Sequence, residues 1–283
     1  MKIIVDSACD MTKAEAESKG LIFVPLTINF DGTIYEDGIS ITHEEFYQKL
    51  ESTDALPVTS QVTPYAYSEA YDEAHRQDED ILVITLGSKL SGTYQSATIA
   101  AQEKDFPVHI VDTDNVCIGE KILVDYAIQL RDLGLSVTEI EEELNRMKTN
   151  VVVLACVDTL DYLVKGGRLS KVAGIAGTML NIKPIIGIVD GKVAVLGKAR
   201  GAKQSCSTLN KLIAKNGGAD FKRPIQIAYS GTDKSKLDAY LENSKSIYEG
   251  HEDDLTLGTI GITIGTHVGP GAVGVAFFRN ERK

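Results

Sequence analysis

The sequence predicts two α/β domains: an N-terminal parallel sheet with helices on both faces, and a C-terminal α+β domain. In the first half, strand-like apolar runs alternate with helix-like runs, a rhythm typical of parallel sheets. In the second half, hairpin signals are mixed with helices, which indicates an α+β arrangement. The chain has 283 residues, enough for two domains, and the rhythm changes near residue 150. We therefore predict domains at 1–150 and 151–283.

The elements of the first half follow from short apolar runs and helix-capping residues. Strand-like runs occupy 2–7, 81–86 and 108–113, and two amphipathic helices are expected at 122–134 and 137–148. An Asp-Gly pair at 31–32 predicts a hairpin, and we expect the region of about 25–58 to pack on the second domain. Three more helices should begin after polar caps or at a proline, namely after Asp10 or Thr12, after Ser40 or Thr42, and at Pro64.

The second half begins with a strand at 151–156 and continues with a small-residue helix at 169–181. A hairpin is expected to turn at Asp190-Gly191, followed by a helix that a glycine pair ends at 217–218. A strand at 224–231 and a single helix at 233–248 come next. The tail, IGITIGTHVGPGAVGVAFF (260–278), predicts strands interrupted by a glycine-rich loop.

Composition and charge exclude several classes of partner. The net charge of −11 argues against nucleic acid and against anionic membrane surfaces. No apolar run is long enough to span a bilayer, so we expect no stable membrane insertion. The four cysteines are far apart, and no close His/Cys group predicts a metal. We expect a cytoplasmic protein. Between residues 165 and 203 the balance reverses to +7, which suggests an anionic ligand or an acidic partner on one side, with a solvated basic face as the open alternative. The bases are Lys165, Arg168, Lys171, Lys183, Lys192, Lys198, Arg200 and Lys203.

Two hydroxyl-rich stretches are candidates for an anion site. LGSKLSGTYQSA (86–97) joins a strand to a helix, where free backbone N–H groups and the helix dipole attract anions. Ser91 adds a hydroxyl donor and Gly92 permits close approach of a ligand. PVTSQVTP (57–64) places Thr59 before another helix. The alternative for both stretches is ordinary helix capping.

Two further candidates are basic side chains beside glycines. Arg168 follows Gly166 and Gly167, and its planar fork suits a carboxylate or phosphate, although it could be a surface residue after a helix end. His267 lies in a glycine-dense loop and could instead be a buried structural imidazole. The run 269–274 has the residue pattern of a dinucleotide-binding fingerprint, but we do not predict such a site, because a strand and not the required helix is expected after it. No nucleophile elbow or Walker loop occurs.

Six stretches in order resemble the DegV family of bacterial proteins: VDSACDM, TSQVTP, SGTYQSA, DTLDYLVKGGRLS, NIKPIIGIVDG and IGTHVGPGA. The resemblance implies a long-chain fatty acid in a tunnel between two α/β domains, with no other cofactor. It implies that Thr59 and Ser91, with Gly92, contact the carboxyl group and that His267 and Arg168 complete the polar network. Plausible tunnel-lining residues, each with ordinary core as the alternative, are Gly174, Ala176, Gly177, Ile182, Ile185, Ile186, Ile262 and Ile264.

The resemblance also implies a partner. Similar proteins present the fatty acid to a separate kinase chain resembling dihydroxyacetone kinase, and the acyl phosphate feeds phospholipid synthesis. Similar proteins meet the kinase at this basic segment, so the resemblance implies that the kinase docks at Arg168, Lys198, Arg200 and Lys203. Such a protein is a carrier without catalysis of its own. Two alternatives stay open: an acyl hydrolase or transferase using Ser91 and His267, and a lipid-responsive regulatory binding protein.

Overall fold

The structure is a computed structural model, and it describes residues 1–53, 55–77, 79–170 and 181–280. The strands are β1 (Lys2–Asp6), β2 (Ile22–Val24), β3 (Thr27–Phe30), β4 (Thr33–Glu36), β5 (Val58–Ser60), β6 (Ile81–Thr85), β7 (His109–Asp112), β8 (Val151–Cys156), β9 (Ile182–Val189), β10 (Lys192–Arg200), β11 (Ile225–Tyr229), β12 (Leu255–Thr259) and β13 (Val273–Phe278). The helices are α1 (Lys13–Ser18), α2 (His43–Glu51), α3 (Pro64–His75), α4 (Thr93–Gln102), α5 (Ile118–Asp132), α6 (Val137–Met147), α7 (Asp161–Lys165), α8 (Gly201–Lys215), α9 (Ser235–Asn243), α10 (Lys245–Tyr248) and α11 (Ile262–Val268).

The first sheet is parallel, with strand order β2-β1-β6-β7. Its central strands are buried along almost their whole length, which suits a sheet covered by helices on both faces. Several of the expected helix starts are confirmed: Thr12 caps α1, Thr42 caps α2 with a capping box, and Pro64 begins α3. The predicted α/β class of the first half is therefore correct.

The second large sheet is mixed and has the order β10-β9-β8-β13-β11-β12. Its predicted hairpin turns at Asp190-Gly191, and residue 191 has the positive φ that such a turn requires. Neighbouring strands place Gly274 opposite Ala155, and Ala155 opposite Ile186. Helix α5 packs against β8, β11 and β13, and buried residues of this helix and of both sheets belong to one continuous core. The domain boundary near residue 150 stays a prediction.

A small third sheet, β4-β3-β5, connects the two halves. The predicted hairpin at Asp31-Gly32 joins β3 to β4. Buried residues of this sheet and of α2 pack against Ile262 of α11. Tyr47 of α2 donates a hydrogen bond to the Ile260 carbonyl at 3.1 Å. The region around 25–58 is thereby held against the carboxyl-terminal part of the chain.

Three sequence predictions are wrong or fall outside the described residues, and one edge strand was not predicted. Residues 262–268 form helix α11 rather than a strand, because Asp10 and Asp37, which are distant in the chain, accept hydrogen bonds from its amino end. The helix predicted at 233–248 is two helices, separated at buried Ser244, whose hydroxyl donates to Asn210 Oδ1. Edge strand β12 was not predicted, since its sequence, LTLGT, is mostly polar or small. The helix predicted at 169–181 lies largely outside the described residues, which omit 171–180.

Candidate functional site

A cavity lies where the carboxyl ends of the first sheet face the β8–β9–β13 surface of the second. Its volume is about 100 Å³. Loops after β2, β6 and β7 supply Leu26, Leu86 and Val116, and α11 closes another side. Ligands of α/β proteins commonly bind at this end of the strands. Most of its described lining is apolar. The polar residues of that lining are Thr59, Ser60, Gln61, Ser91, Arg168, Thr263 and His267.

Thr59 and His267 meet at the polar end, although 208 residues separate them in the chain. Thr59 Oγ1 lies 2.9 Å from His267 Nε2. Thr59 comes from strand β5, and His267 lies in the last turn of α11, not in the predicted loop. Burial, and secondarily the positive charge of Arg168, lower the pKa of His267 to about 4. The imidazole is therefore neutral at physiological pH.

Ser91 lies at the turn that the sequence singled out, between β6 and α4. Its Oγ accepts a hydrogen bond from the Thr93 backbone N–H at 3.3 Å and lies 3.0 Å from Thr93 Oγ1. Thr93 Oγ1 in turn accepts from Val62 N at 3.4 Å. A plain serine cap was the alternative, but Gly92 is the capping position of α4 and Ser91 precedes it.

Residue 92 must be a glycine for a steric reason that the sequence alone did not reveal. A Cβ at this position would lie 2.1 Å from Gln61 Oε1. Gln61 donates through Nε2 to Ser96 Oγ at 2.9 Å, so the TSQ stretch is fixed against the start of α4. Gln61 itself lines the cavity and was missed as a site residue. Its place within the same hydroxyl-rich stretch as Thr59 is the signal that could have identified it.

Arg168 contributes the one formal charge in the described lining. Its guanidinium is half-buried and donates to two backbone carbonyls, Leu90 at 3.2 Å and Gly166 at 2.8 Å. Burial lowers the pKa of the guanidinium, yet arginine remains charged at any physiological pH. Through Leu90, Arg168 contacts the same turn that carries Ser91.

The two glycines before Arg168 have different purposes. Gly167 has a φ of +74° and follows the end of α7, the left-handed conformation that commonly terminates a helix. Gly166 has ordinary helical angles, but a Cβ there would lie 2.3 Å from His267 Nδ1. The close approach leaves His267 Nδ1 buried without a hydrogen-bond partner among the described residues. Gly166 therefore sets the position of the imidazole.

The apolar candidates divide according to the faces of their strands and helices. Ile186 and Ile264 line the cavity. Ile185 points to the opposite face of the sheet and packs in the core beneath α8, and Ile262 packs against the third sheet. Ile182 does not border the described part of the cavity. The lining role predicted for these last three is corrected accordingly; the other three candidates, Gly174, Ala176 and Gly177, lie outside the described residues.

The basic residues expected to dock a partner are placed on one hairpin edge and the helix after it. Lys198 and Arg200 are exposed on β10, and Lys203 is exposed on the first turn of α8. Arg168, by contrast, is engaged with the cavity. Lys183, another base of the 165–203 segment, pairs with Asp158 at 2.8 Å.

Neither a metal site nor a membrane span emerges from residues 1–53, 55–77, 79–170 and 181–280. No group of three His, Cys, Asp or Glu side chains in those ranges could hold a metal ion. Over the same ranges, no helix is both long enough and apolar enough to cross a bilayer.

Fold and site together define a mixed α/β protein with an apolar cavity that hydroxyls, a neutral imidazole and a guanidinium close at one end. A family model described as "Uncharacterised protein, DegV family" matches residues 1–280. The chain belongs to the DegV family. A curated relative, a DegV domain-containing protein of Caldanaerobacter subterraneus subsp. tengcongensis, is 34% identical over 279 residues, which cover 97% of each chain.

Solved structures of the same family share this fold. A DegV family protein from Thermus thermophilus, reported for its fatty acid binding, matches with a TM-score of 0.88 and 31% identity over 99% of both chains. The fatty acid kinase B3 protein of Streptococcus pneumoniae, loaded with linoleic acid, matches with a TM-score of 0.84 over 99% of both chains. At 24% identity, this second likeness concerns the fold alone.

Proposed function

We propose that this protein binds one long-chain fatty acid, with the carboxylate at the polar end of the cavity and the acyl chain along its apolar walls. One observation carries the proposal: Thr59, Ser91, Arg168 and His267 all border the same mostly apolar cavity. A carboxylate taken from water needs several donors at once, and an acyl chain needs an apolar enclosure. The Thermus thermophilus relative, at 31% identity, supports the ligand class.

The hydrogen-bond arrangement leaves Thr59 free to donate. His267 is neutral, so one of its two ring nitrogens carries a proton. With that proton on Nε2, the imidazole donates to Thr59 Oγ1 across the 2.9 Å contact. The Thr59 hydroxyl proton is then directed elsewhere, and a carboxylate in the cavity is the acceptor that we propose for it.

The hydrogen bonds around Ser91 likewise leave its hydroxyl proton available to a ligand. Thr93 Oγ1 already accepts from Val62 N, which favours the Thr93 hydroxyl as donor to Ser91. Ser91 Oγ also accepts from Thr93 N, so both of its lone pairs are engaged. Its own proton is then available to a ligand. Thr59 and Ser91 would donate to the two oxygens of one carboxylate.

Arg168 supplies the compensating charge. A guanidinium has five N–H donors, and two of those on Arg168 go to the Leu90 and Gly166 carbonyls. These bonds fix the orientation of the group while donors remain for an anion. Because the chain as a whole has a net charge of −11, a local cation is needed to hold an anionic ligand.

The acyl chain would supply most of the affinity. Each buried methylene contributes roughly 0.8 kcal/mol, so a chain of about fifteen contributes on the order of 10 kcal/mol before ordering costs. Ile186 and Ile264 are among the apolar residues available to it. Gly274 and Ala155, opposite each other in the sheet, leave room for it along the sheet surface.

The geometry favours binding over nucleophilic catalysis. In a Ser-His-acid triad, the imidazole contacts the serine and a carboxylate orients the imidazole. Here His267 contacts Thr59 rather than Ser91, and Gly166 rather than a carboxylate lies against Nδ1. An acyl hydrolase would need both contacts rearranged.

The ligand proposal is tested by mass spectrometry of lipid extracted from the purified protein. We expect a fatty acid at about one molecule per chain, and the double variant Thr59→Val/Ser91→Ala should retain far less. Extraction of a neutral lipid, or equal fatty acid from both proteins, would contradict the proposed carboxylate site.

We further propose that a separate fatty acid kinase docks on the exposed bases of β10 and α8 and phosphorylates the bound carboxylate. The support is the family resemblance together with the exposure of Lys198, Arg200 and Lys203. Arg200→Glu/Lys203→Glu should slow fatty-acid-dependent ATP turnover by a fatty acid kinase without changing fatty acid binding. Lys13→Glu/Arg76→Glu reverses the same charges at exposed sites elsewhere and is the matched control. Equal turnover with both double variants would exclude this docking surface.

A further inference from the structure

Residues 6–10 (Asp-Ser-Ala-Cys-Asp), here called the 6–10 segment, follow β1 and are almost entirely buried. They belong to the first of the six family-like stretches, yet none of them is part of the described cavity lining. The segment instead contacts the backbone behind that lining. The site described above therefore gives this segment no role.

The first part of the segment holds two cavity walls. Asp6 accepts a hydrogen bond from the Leu86 N–H at 2.9 Å, at the start of the turn that carries Ser91. Ser7 Oγ accepts from the Leu26 N–H at 3.0 Å. Leu26 and Leu86 both line the cavity. A third wall is held by backbone, since the Ala8 carbonyl accepts from the Cys117 N–H at 2.9 Å.

The end of the segment holds the helix that carries His267. Asp10 Oδ1 accepts from the Gly261 N–H at 2.9 Å, across 251 residues of chain. Asp37, which accepts from Ser7 Oγ at 3.1 Å, also accepts from the Thr263 N–H at 3.2 Å. Two carboxyl groups from outside α11 thus satisfy donors at its amino end.

Helix α11 needs such external caps because its own sequence has none. Its capping residue is Gly261, which has no side chain to accept a hydrogen bond. A larger residue would not fit, since a Cβ there would lie 2.9 Å from Asp10 Oδ1. The helix itself, ITIGTHV, is rich in β-branched residues and contains a glycine, all weak helix formers.

Burying these carboxyl groups is costly for the protein. Burial is the largest cause that raises the pKa of Asp6 and of Asp10 to about 7, and that of Asp37 to about 6. Asp6 and Asp37 are buried, and Asp10 is only partly exposed. A stability argument alone would favour apolar residues at such positions.

We infer that the 6–10 segment is the positioning element of the fatty acid site: it fastens the Ser91 turn, the Leu26 wall and the His267 helix to one another. This inference rests on the proposed function, because it assumes that a carboxylate binds between Ser91 and His267. Asp10 and Ser7 act through the residues that they hold and do not touch the ligand.

The test uses single variants of the full chain and the fluorescent fatty acid cis-parinaric acid. Asp10→Ala leaves the Gly261 N–H without its acceptor and should weaken binding by about 5- to 100-fold. Asp10→Asn keeps an acceptor oxygen and should stay within about threefold of the unsubstituted protein. Thr12→Ala removes the cap of α1, a helix that does not line the cavity, and is the control for general loss of stability.

A double variant separates capping from any other effect of Asp10. Removing the carboxylate makes room at residue 261, where φ −61° and ψ 171° suit a serine cap. A serine at this position would accept from the Ile264 N–H and not from its own N–H, so Asp10→Ala/Gly261→Ser gives α11 a cap of its own without restoring the bond to Asp10. It should recover part of the binding and folding lost in Asp10→Ala.

The outcomes distinguish this inference from the proposed function. If the unsubstituted protein does not bind cis-parinaric acid, the proposed function fails and the inference fails with it. If it binds, and Asp10→Ala binds equally well, only the positioning role is wrong. A double variant as weak or as unfolded as Asp10→Ala would also contradict the capping argument. Recovery in the double variant, together with an unaffected Thr12→Ala, would support it.

Discussion

Ala155 offers a direct way to shorten the proposed acyl channel. It lines the cavity from β8, opposite Gly274 and next to Ile186 in the sheet. Ala155→Leu adds three carbon atoms, which would occupy the room of about three ligand methylenes. At roughly 0.8 kcal/mol for each methylene, long fatty acids should lose about 2 kcal/mol, or roughly 30-fold in affinity.

The assay is a titration series with saturated fatty acids of about ten to eighteen carbons. In the unsubstituted protein, affinity should rise with each added methylene until the cavity is filled. In Ala155→Leu, the rise should stop about three carbons earlier, while the shortest acids bind almost normally. The change is thus a shift in length preference and not a uniform loss.

Cys156→Leu is the matched control. Cys156 follows Ala155 on the same strand but lines a separate cavity of about 230 Å³ on the opposite face of the sheet. Added bulk there should leave the length profile unchanged. The channel argument would be refuted by an Ala155→Leu profile that equals that of the unsubstituted protein, or by a Cys156→Leu profile with the same truncation.

Three further predictions concern the head group and the buried acids. Ser91→Ala should weaken palmitate binding by roughly 1.5–3 kcal/mol but hardly affect the corresponding fatty alcohol; equal losses for both would exclude a carboxylate contact. NMR of the His267 imidazole should show a pKa of about 4, and a midpoint near 6.5 would contradict the burial and the nearby Arg168 charge that lower it. The native state keeps the Asp10 proton up to about pH 7, whereas the unfolded chain releases it near 3.8, so stability falls as pH rises between these values. Chemical unfolding should show Asp10→Asn gaining on the order of 4 kcal/mol relative to the unsubstituted protein from pH 4 to pH 8, and a constant difference would contradict the raised pKa.

Elements whose signals are local could be predicted from the sequence. The capping box at Thr42, the proline start at Pro64 and the Asp-Gly turns of two hairpins each depend on residues within four positions of one another. The alternation of strands and helices also gave the correct fold class. Such features are encoded where they occur and need no knowledge of the tertiary structure.

Helix α11 shows why other elements could not be predicted. Ile262, Thr263 and Thr266 are β-branched, and local preference alone favours a strand there. The helix forms because Asp10 and Asp37 supply its caps and because Gly265 allows Tyr47 to pack against it. These contacts are made by residues more than 200 positions away, so no window of sequence contains them.

Part of the candidate site could likewise be predicted from the sequence, and part of it could not. The hydroxyl-rich stretches identified Thr59 and Ser91, but the Thr59–His267 contact depends on how β5 and α11 pack. Gly166 was interpreted as part of a helix end, whereas its small size is needed for the His267 ring. Side chains alternate between the two faces of β9, so Ile186 faces the cavity and Ile185 faces away from it. Which face borders the cavity could not be read from the sequence.

The most direct test of the account is a crystal structure of the protein with palmitate bound. We expect the carboxylate oxygens within about 3 Å of Thr59 Oγ1 and Ser91 Oγ, and the chain running past Ile186 and Ala155. A carboxylate that lies away from both hydroxyls, or an acyl chain outside this cavity, would contradict the central claim.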